Sequence, residues 1–299
     1  MTRRPLWVVA GPTASGKSAL AVQLAQRLGA EIVGADSQQL YRGFAVGTAQ
    51  PSAEELARVP HHLVGTLDPR EQCSAAAYQR LADAAIADIE GRGKPVVVCG
   101  GTGLYLRVLL RGVVEAPSAD PALRAELEAL ADAEGNEALH RRLAQLDPVS
   151  AAKLHPADRV RLVRALEIAT LTGKAPSALR EAHAFAEPRH PHRLLVLSPP
   201  ADALREVIAR RTRAMFEGGL LPEVRGLVEQ GLRDAPPMRS VGYVQALGVL
   251  DGRHTLEEAI SLATHATAQY AKRQRTWFRK EPGAEWLAPP VDLEKLLRP

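Results

Sequence analysis

The sequence predicts an α/β fold: a parallel-sheet core that carries a phosphate-binding loop and is interrupted by an all-helical insertion. Three observations predict it. Short, continuously apolar runs alternate with helical patterns up to about residue 115, as buried parallel strands between helices do. A glycine-rich loop directly follows the first of those runs. From Pro117 onward only helical signals occur, until an apolar run returns at Arg193–Leu197.

Each element has a local reason. Leu6–Ala10 is a short apolar strand, and a helical pattern runs from Lys17 to Leu28 and stops at Gly29. Glu31–Ala35 reads as a second strand ending at Asp36. Ser52 with Glu55 reads as a capping box, and residues 75–90 are Ala-rich and helical. Pro95–Cys99 is a third buried strand, entering Gly100-Gly101-Thr102-Gly103. In the insertion, Asp120-Pro121 and Asp147-Pro148 each place an N-cap before a proline at the first helical position. Leu123, Leu127 and Leu130 form an apolar stripe, with Gly135 and Gly173 as helix stops. Arg193–Leu197 is a further strand of the first sheet. Three helical stretches follow, the last opening on Thr255 and Glu258 and running to about Lys280. The domains expected are a core of residues 1–116 and 190–299, with C-terminal helices, and a helical insertion over 117–189.

Composition narrows the class. Hydrophobic residues make up 46% and charged residues 24%, enough for a sizeable core in a soluble protein. The formal charge of +4 is mildly basic, and most basic residues are Arg, which fits a nucleic-acid partner without requiring one. Cys73 and Cys99 form no C-x-x-C pair, so no zinc site or disulfide framework is expected and a reducing, cytoplasmic setting is the simplest. Gly11 and Pro12 interrupt the N-terminal apolar run, so no signal peptide is read, and no run is long enough to cross a membrane. Nothing signals an oligomer, and a monomer is expected.

Gly11-Pro12-Thr13-Ala14-Ser15-Gly16-Lys17-Ser18 matches G-x-x-x-x-G-K-[ST], between a strand and a helix. The core is therefore P-loop NTPase-like. Backbone N–H groups of such a loop wrap a phosphate, and the helix N-terminus adds partial positive charge. Lys17 would reach the terminal phosphate and Ser18 would ligate Mg²⁺. No N-K-x-D motif is present, and the third strand ends in Gly100-Gly101-Thr102 where many ATPases have Asp. That argues against simple ATP hydrolysis. Asp36 falls at the carboxyl edge of the sheet, where open α/β sheets bind ligands. It suits a metal ligand or a general base, and equally a turn cap. Thr102, on a turn at the same edge, offers a hydroxyl to a substrate or is incidental to a glycine turn.

Several segments together resemble the tRNA dimethylallyltransferases, also called tRNA isopentenyltransferases. They are Gly11–Ser18, Asp36-Ser37-Gln38-Gln39-Leu40-Tyr41-Arg42-Gly43, Gly47-Thr48-Ala49, Pro60-His61-His62-Leu63 and Gly100-Gly101-Thr102-Gly103-Leu104-Tyr105. Arg161–Glu167, Ser240-Val241-Gly242-Tyr243 and Lys272-Arg273-Gln274-Arg275-Thr276-Trp277 follow, in family order over nearly the whole chain. The chain departs from the pattern at Phe44-Ala45-Val46, at Val64-Gly65 and at Val207, and it resembles the short form without a zinc finger.

The resemblance implies transfer of a dimethylallyl group from dimethylallyl diphosphate to the exocyclic amine of the adenosine 3′ of the anticodon in tRNA. It implies Asp36 as general base, Thr102 at the reacting centre, Mg²⁺ as cofactor, and Arg211 with the loop on the diphosphate. For tRNA, Asp36, Ser37, Gln38, Gln39 and Thr102 would meet the target nucleotide. Arg159, Arg161, Arg164, Arg239, Gly242, Tyr243, Lys272 and Arg275 would meet the anticodon stem-loop, as single-stranded RNA loops require. Trp277 is expected in the core. The competing readings are an isopentenyltransferase acting on free adenine nucleotides, a small-molecule kinase, and a non-enzymatic nucleotide-binding RNA adaptor.

Overall fold

A computed structural model describes residues 4–113, 116–183 and 188–298. Of the insertion expected over 117–189, residues 184–187 lie outside the described residues. The chain separates into two compact units, Met1–Arg111 with Arg189–Pro299, and Gly112–Pro188.

The first unit begins with β1 (Leu6–Ala10), α1 (Lys17–Leu28), β2 (Glu31–Gly34), α2 (Ala53–Arg58), β3 (His61–His62), α3 (Ala75–Gly91), β4 (Val96–Gly100) and α4 (Gly103–Arg111). The second unit holds α5 (Pro121–Glu134), α6 (Asn136–Leu146), α7 (Pro148–Ala151), α8 (Arg159–Thr172) and α9 (Pro176–His183). The chain then returns to the first unit with β5 (His192–Leu197), α10 (Ala201–Met215), α11 (Leu221–Glu229), α12 (Tyr243–Leu250), α13 (Leu256–Phe278), β6 (Ala284–Leu287) and α14 (Leu293–Leu296). A widened turn, Phe216–Leu220, joins α10 to α11 and breaks at Gly219.

The sheet runs β3-β2-β4-β1-β5-β6, and each pairing is parallel. This order places β2, β4 and β1 side by side. Their carboxyl ends lead into Asp36, the Gly100–Gly103 turn and the phosphate loop. Three segments distant in sequence therefore emerge at one sheet edge, beside the point where the connections switch from one side of β1 to the other.

The central strands are apolar where both faces are covered: Val8, Val9, Val33, Val97 and Val98 have no exposure. On α1, Leu20, Ala21, Leu24 and Ala25 face the sheet at helical spacing. Burying a side chain such as Leu24 stabilises the fold by roughly 1.5–3 kcal/mol. Gly29 ends α1 in the left-handed conformation, as its position predicts.

Opposite the convergent edge, at the start of β2, Glu31 is only 2% exposed. It accepts from Arg92 and from Lys94 at 2.8 Å, and His62 lies 2.7 Å away. The Arg92 hydrogen bonds, reinforced by Lys94 and His62, hold its carboxyl far below the usual glutamate range against the opposing effect of burial.

The second unit has its own core of Leu127, Leu139, Leu143, Leu162 and Leu166. Asp120 caps α5 through Leu123 N at 2.9 Å, and Asp147 caps α7 through Ser150 N at 3.0 Å. Asp147 also receives Ser177 N and Oγ, each at 2.7 Å, which ties α9 to α7. Glu167, wholly buried, accepts from Arg124 at 2.9 and 3.0 Å and from Asp120 N at 2.8 Å.

Candidate active site

The phosphate loop folds as its motif requires. Gly16 precedes α1 with φ 86°, a left-handed conformation that strains any residue with a Cβ. Nothing lies within 4 Å of a Cβ built there, so the demand is on the backbone and not on space. Lys17 is half-buried, with Nζ 3.4 Å from Pro12 O. Burial pushes its pKa below the ordinary lysine value, and the charge of Asp36 partly opposes this. Arg211, reaching in from α10, donates to Thr13 Oγ1. It too is depressed by burial and supported by Asp36. Two cations and one carboxylate thus share the loop. The hydroxyl of Ser15, a residue only 4% exposed, has no hydrogen-bond partner among the described residues.

Asp36 Oδ1 accepts from the backbone of Gln38 at 2.9 Å and of Gln39 at 3.4 Å. One carboxylate oxygen therefore holds a turn, so the capping and functional readings are both realised in one residue. Thr102 N donates to Ala35 O at 3.2 Å, and Thr102 Oγ1 accepts from Ser37 N at 2.9 Å. Asp36 and Thr102 are held on interlocked turns.

One helix, α13, bridges two of these segments, the phosphate loop and the Gly100–Gly103 turn. On α13, Gln274 is 6% exposed. Its Oε1 accepts from Thr13 N at 2.8 Å and its Nε2 donates to Gly101 O at 2.8 Å. A Cβ at Gly101 would lie 2.4 Å from that Nε2, so the approach requires glycine. Tyr270, one turn earlier, has its phenol pushed up to about 12 by burial and by the charge of Asp36, while hydrogen bonds with Thr102 and Gln274 oppose the rise. The Lys272-Arg273-Gln274-Arg275-Thr276-Trp277 segment was legible as a motif. The bridging role of Gln274 was not, and the i, i+4 spacing of Tyr270 and Gln274 was its one signal.

A cavity of about 310 Å³ opens here, with Thr13, Asp36, Arg211 and Tyr270 among its polar lining and Met215, Phe216 and Leu220 among its apolar lining. Ser37, Gln38, Arg239 and Gly242 also line it, and Gln38 Oε1 is buried without a hydrogen-bond partner among the described residues. Gln39 turns away: its Nε2 donates to Thr48 O at 3.0 Å and to Ala49 O at 2.7 Å. The wall at Gly47 and Thr48 is fixed by Glu223, whose carboxylate accepts from the backbone N–H groups of Ala45 (3.0 Å), Val46 (2.8 Å) and Gly47 (3.3 Å). Glu223 went unnoticed in the sequence, because a surface-looking Glu after a proline carries no distinguishing pattern.

The expected RNA contacts divide. Tyr243 has no exposure; its hydroxyl bonds Glu223 and its ring meets Phe44 at 4.9 Å between centroids. It supports the cavity wall and presents no surface to RNA, which corrects its expected role. Arg239 is exposed, at the cavity. Lys272 and Arg275 line a second, larger hollow of about 670 Å³ with Arg205 and Arg279. In the second unit, Arg161 is well exposed, its side chain 67% accessible and 3.4 Å from Asp158. Arg159 pairs with Glu128 and Asp132, and Arg164 with Glu167 and Pro117 O. Trp277 is half-buried, stacked under the Arg107 guanidinium at 4.2 Å, whereas its neighbour Phe278 is the core residue.

Among the described residues no helix is long and apolar enough to cross a membrane. A family model described as IPP transferase matches residues 39–281, and one described as isopentenyl transferase matches residues 4–62. A protein of Myxococcus xanthus (strain DK1622) named tRNA dimethylallyltransferase is 64% identical over 291 residues, covering 97% of this chain and 94% of its own. The crystal structure of full-length tRNA isopentenylpyrophosphate transferase from Bacillus halodurans is similar with a TM-score of 0.70 and 39% identity, covering 98% of this chain and 92% of that one. A eukaryotic dimethylallyltransferase captured acting on tRNA is similar with a TM-score of 0.83 and 28% identity, covering 98% of this chain and 75% of that one. The parallel core, the convergent edge and these matches lead to one conclusion: the chain belongs to the tRNA dimethylallyltransferase (IPP transferase) family.

Proposed function

We propose that the protein transfers a dimethylallyl group from dimethylallyl diphosphate to tRNA, at the exocyclic amine of the adenosine 3′ of the anticodon, releasing diphosphate. One observation carries this reading. The phosphate-loop residue Thr13, Arg211 and the Asp36-Ser37 turn line a single cavity together with apolar Met215, Phe216 and Leu220, and Thr102 is hydrogen-bonded to that turn through Ser37 N.

The chemistry follows from the residues. An adenine amine is a weak nucleophile because its lone pair is delocalised into the ring. Its nitrogen forms a bond to the allylic carbon as the bond from that carbon to the diphosphate oxygen breaks. Asp36 takes the amine proton, and Thr102, on the interlocked turn, positions the amine. Lys17, Arg211 and the loop N–H groups receive the charge that builds on the departing diphosphate. The apolar wall of Met215, Phe216 and Leu220 suits the dimethylallyl group. The target base must leave its stack to reach such a cavity.

Mg²⁺ fits this site as a cofactor. It is typically bound by one or two protein oxygens together with substrate phosphates and water, and Ser18, an exposed residue next to Lys17, would supply its hydroxyl. When bound, it would neutralise charge on the diphosphate. Of the basic residues expected to meet RNA, Arg161, Arg239 and Lys272 are exposed and Arg275 is half-buried beside Lys272, and these suit the RNA backbone. A cytoplasmic, monomeric protein accords with this reading.

Purified protein, Mg²⁺ and labelled dimethylallyl diphosphate, offered unmodified tRNA or AMP and ATP, test it. Label on tRNA supports the reading, and label on free nucleotide alone replaces it with a nucleotide isopentenyltransferase.

A further inference from the structure

We infer that Gln274 is a positioning residue of the transfer reaction: its amide sets the spacing between the loop that grips the leaving diphosphate and the turn that holds Thr102. The inference rests on the transferase reading above and deepens it.

The side chain bridges two backbone groups that belong to different halves of the reaction. Oε1 accepts from Thr13 N at 2.8 Å, within the phosphate loop, and Nε2 donates to Gly101 O at 2.8 Å, one residue before Thr102. The residue is 6% exposed, so water is poorly placed to substitute for either bond. The amide oxygen faces a backbone donor and the amide nitrogen a backbone acceptor, which fixes its orientation. The absence of a side chain at Gly101 admits the contact. Tyr270, one turn earlier on α13, lines the cavity with Asp36. A single helix thereby indexes the diphosphate grip against the turn that carries Thr102. Attack must run in line with the departing oxygen, so the distance between these segments governs how often reactants stand in a productive geometry. Gln274 itself touches the loop and the turn, and it acts through them.

Two variants of the full chain test this, Gln274→Leu and Gln274→Glu. Gln274→Leu removes both bonds at similar volume. With saturating tRNA and dimethylallyl diphosphate, kcat per folded molecule falls roughly 10- to 100-fold, the scale of a ~1 Å misplacement. Affinity for tRNA is unchanged, and affinity for inorganic diphosphate with Mg²⁺ weakens because the loop is loosened. Gln274→Glu keeps the acceptor for Thr13 N and loses the donor to Gly101 O while ionised. Burial disfavours the ionised form, and protonation restores a donor. Its activity relative to wild type therefore rises as pH falls, which a merely structural role does not produce. If Gln274→Leu does not fold by circular dichroism, the pH series of Gln274→Glu decides alone. A kcat per folded molecule equal to wild type, or a flat activity ratio against pH, overturns the inference. Diphosphate binding measured by calorimetry needs no turnover and separates the two levels. A wild type that binds diphosphate and transfers nothing removes the transferase reading, whereas unchanged diphosphate affinity in Gln274→Leu removes the role of Gln274.

Discussion

The backbone N–H of Ser37 donates to Oγ1 of Thr102 at 2.9 Å, joining turns that lie 65 residues apart in sequence. Through this bond the carboxylate of Asp36 and the hydroxyl of Thr102 are presented together, because β2 and β4 are neighbours in the sheet.

Replacing either residue should affect turnover more than binding. Asp36→Asn keeps the size and one turn-forming oxygen and loses the base. Its kcat should fall by roughly 10²–10⁴-fold, the usual worth of a positioned base, with tRNA affinity retained. Thr102→Val should act in the same direction. Transfer rates set beside tRNA binding isotherms check this, and an equal loss in both would sink the catalytic assignment.

Lys17→Ala and Arg211→Ala should each weaken inorganic diphosphate binding by about 10- to 100-fold, since charge-assisted hydrogen bonds contribute about 1.5–3 kcal/mol each. Titration calorimetry reads this without RNA. Affinities equal to wild type would remove these side chains from the diphosphate site.

The arginines of α8 should separate by their partners. Arg161→Ala, which breaks only an exposed contact at 3.4 Å, should weaken tRNA binding and lower the salt slope by about 1. Arg164→Ala takes a cation from buried Glu167, so loss of thermal stability should dominate. An unchanged salt slope for Arg161→Ala would show that this surface does not meet the RNA backbone.

Glu31 makes stability depend on pH. Its folded pKa lies below the ordinary value, so the unfolded chain binds more protons between the two and stability rises with pH there. The contribution is full above the ordinary glutamate range and is lost as pH falls through the depressed folded value. Glu31→Gln should cost about 1–3 kcal/mol at neutral pH. The gap to wild type should narrow in acid, and urea unfolding at several pH values would reveal a constant gap if the ion pairs contribute nothing.

Much of this protein was readable from the chain because its signals are local. The phosphate loop is a contiguous motif, the caps at Ser52, Asp120, Asp147 and Thr255 are short-range patterns, and the strands β1, β2, β4 and β5 are built on short apolar runs. The edge strands were not read. β3 is two histidines, and β6 is a half-exposed strand whose partner is β5. The site was legible where a residue follows a strand directly, as Asp36 and Thr102 do. It was illegible where a role depends on tertiary partners. Gln274 sits among basic neighbours that suggest a solvated helix face, Glu223 looks like a surface carboxylate, and Tyr243 sits in a motif yet is wholly buried. Arg164 shows the same limit, since only the fold places Glu167 and Pro117 O beside it.

The most direct test is transfer of labelled dimethylallyl from its diphosphate to unmodified tRNA, with Mg²⁺, by wild type and Asp36→Asn side by side. The account predicts label on the adenosine 3′ of the anticodon with wild type, and near-complete loss with Asp36→Asn at undiminished tRNA binding. Label on AMP or ATP but never on tRNA, or full transfer by Asp36→Asn, would contradict it.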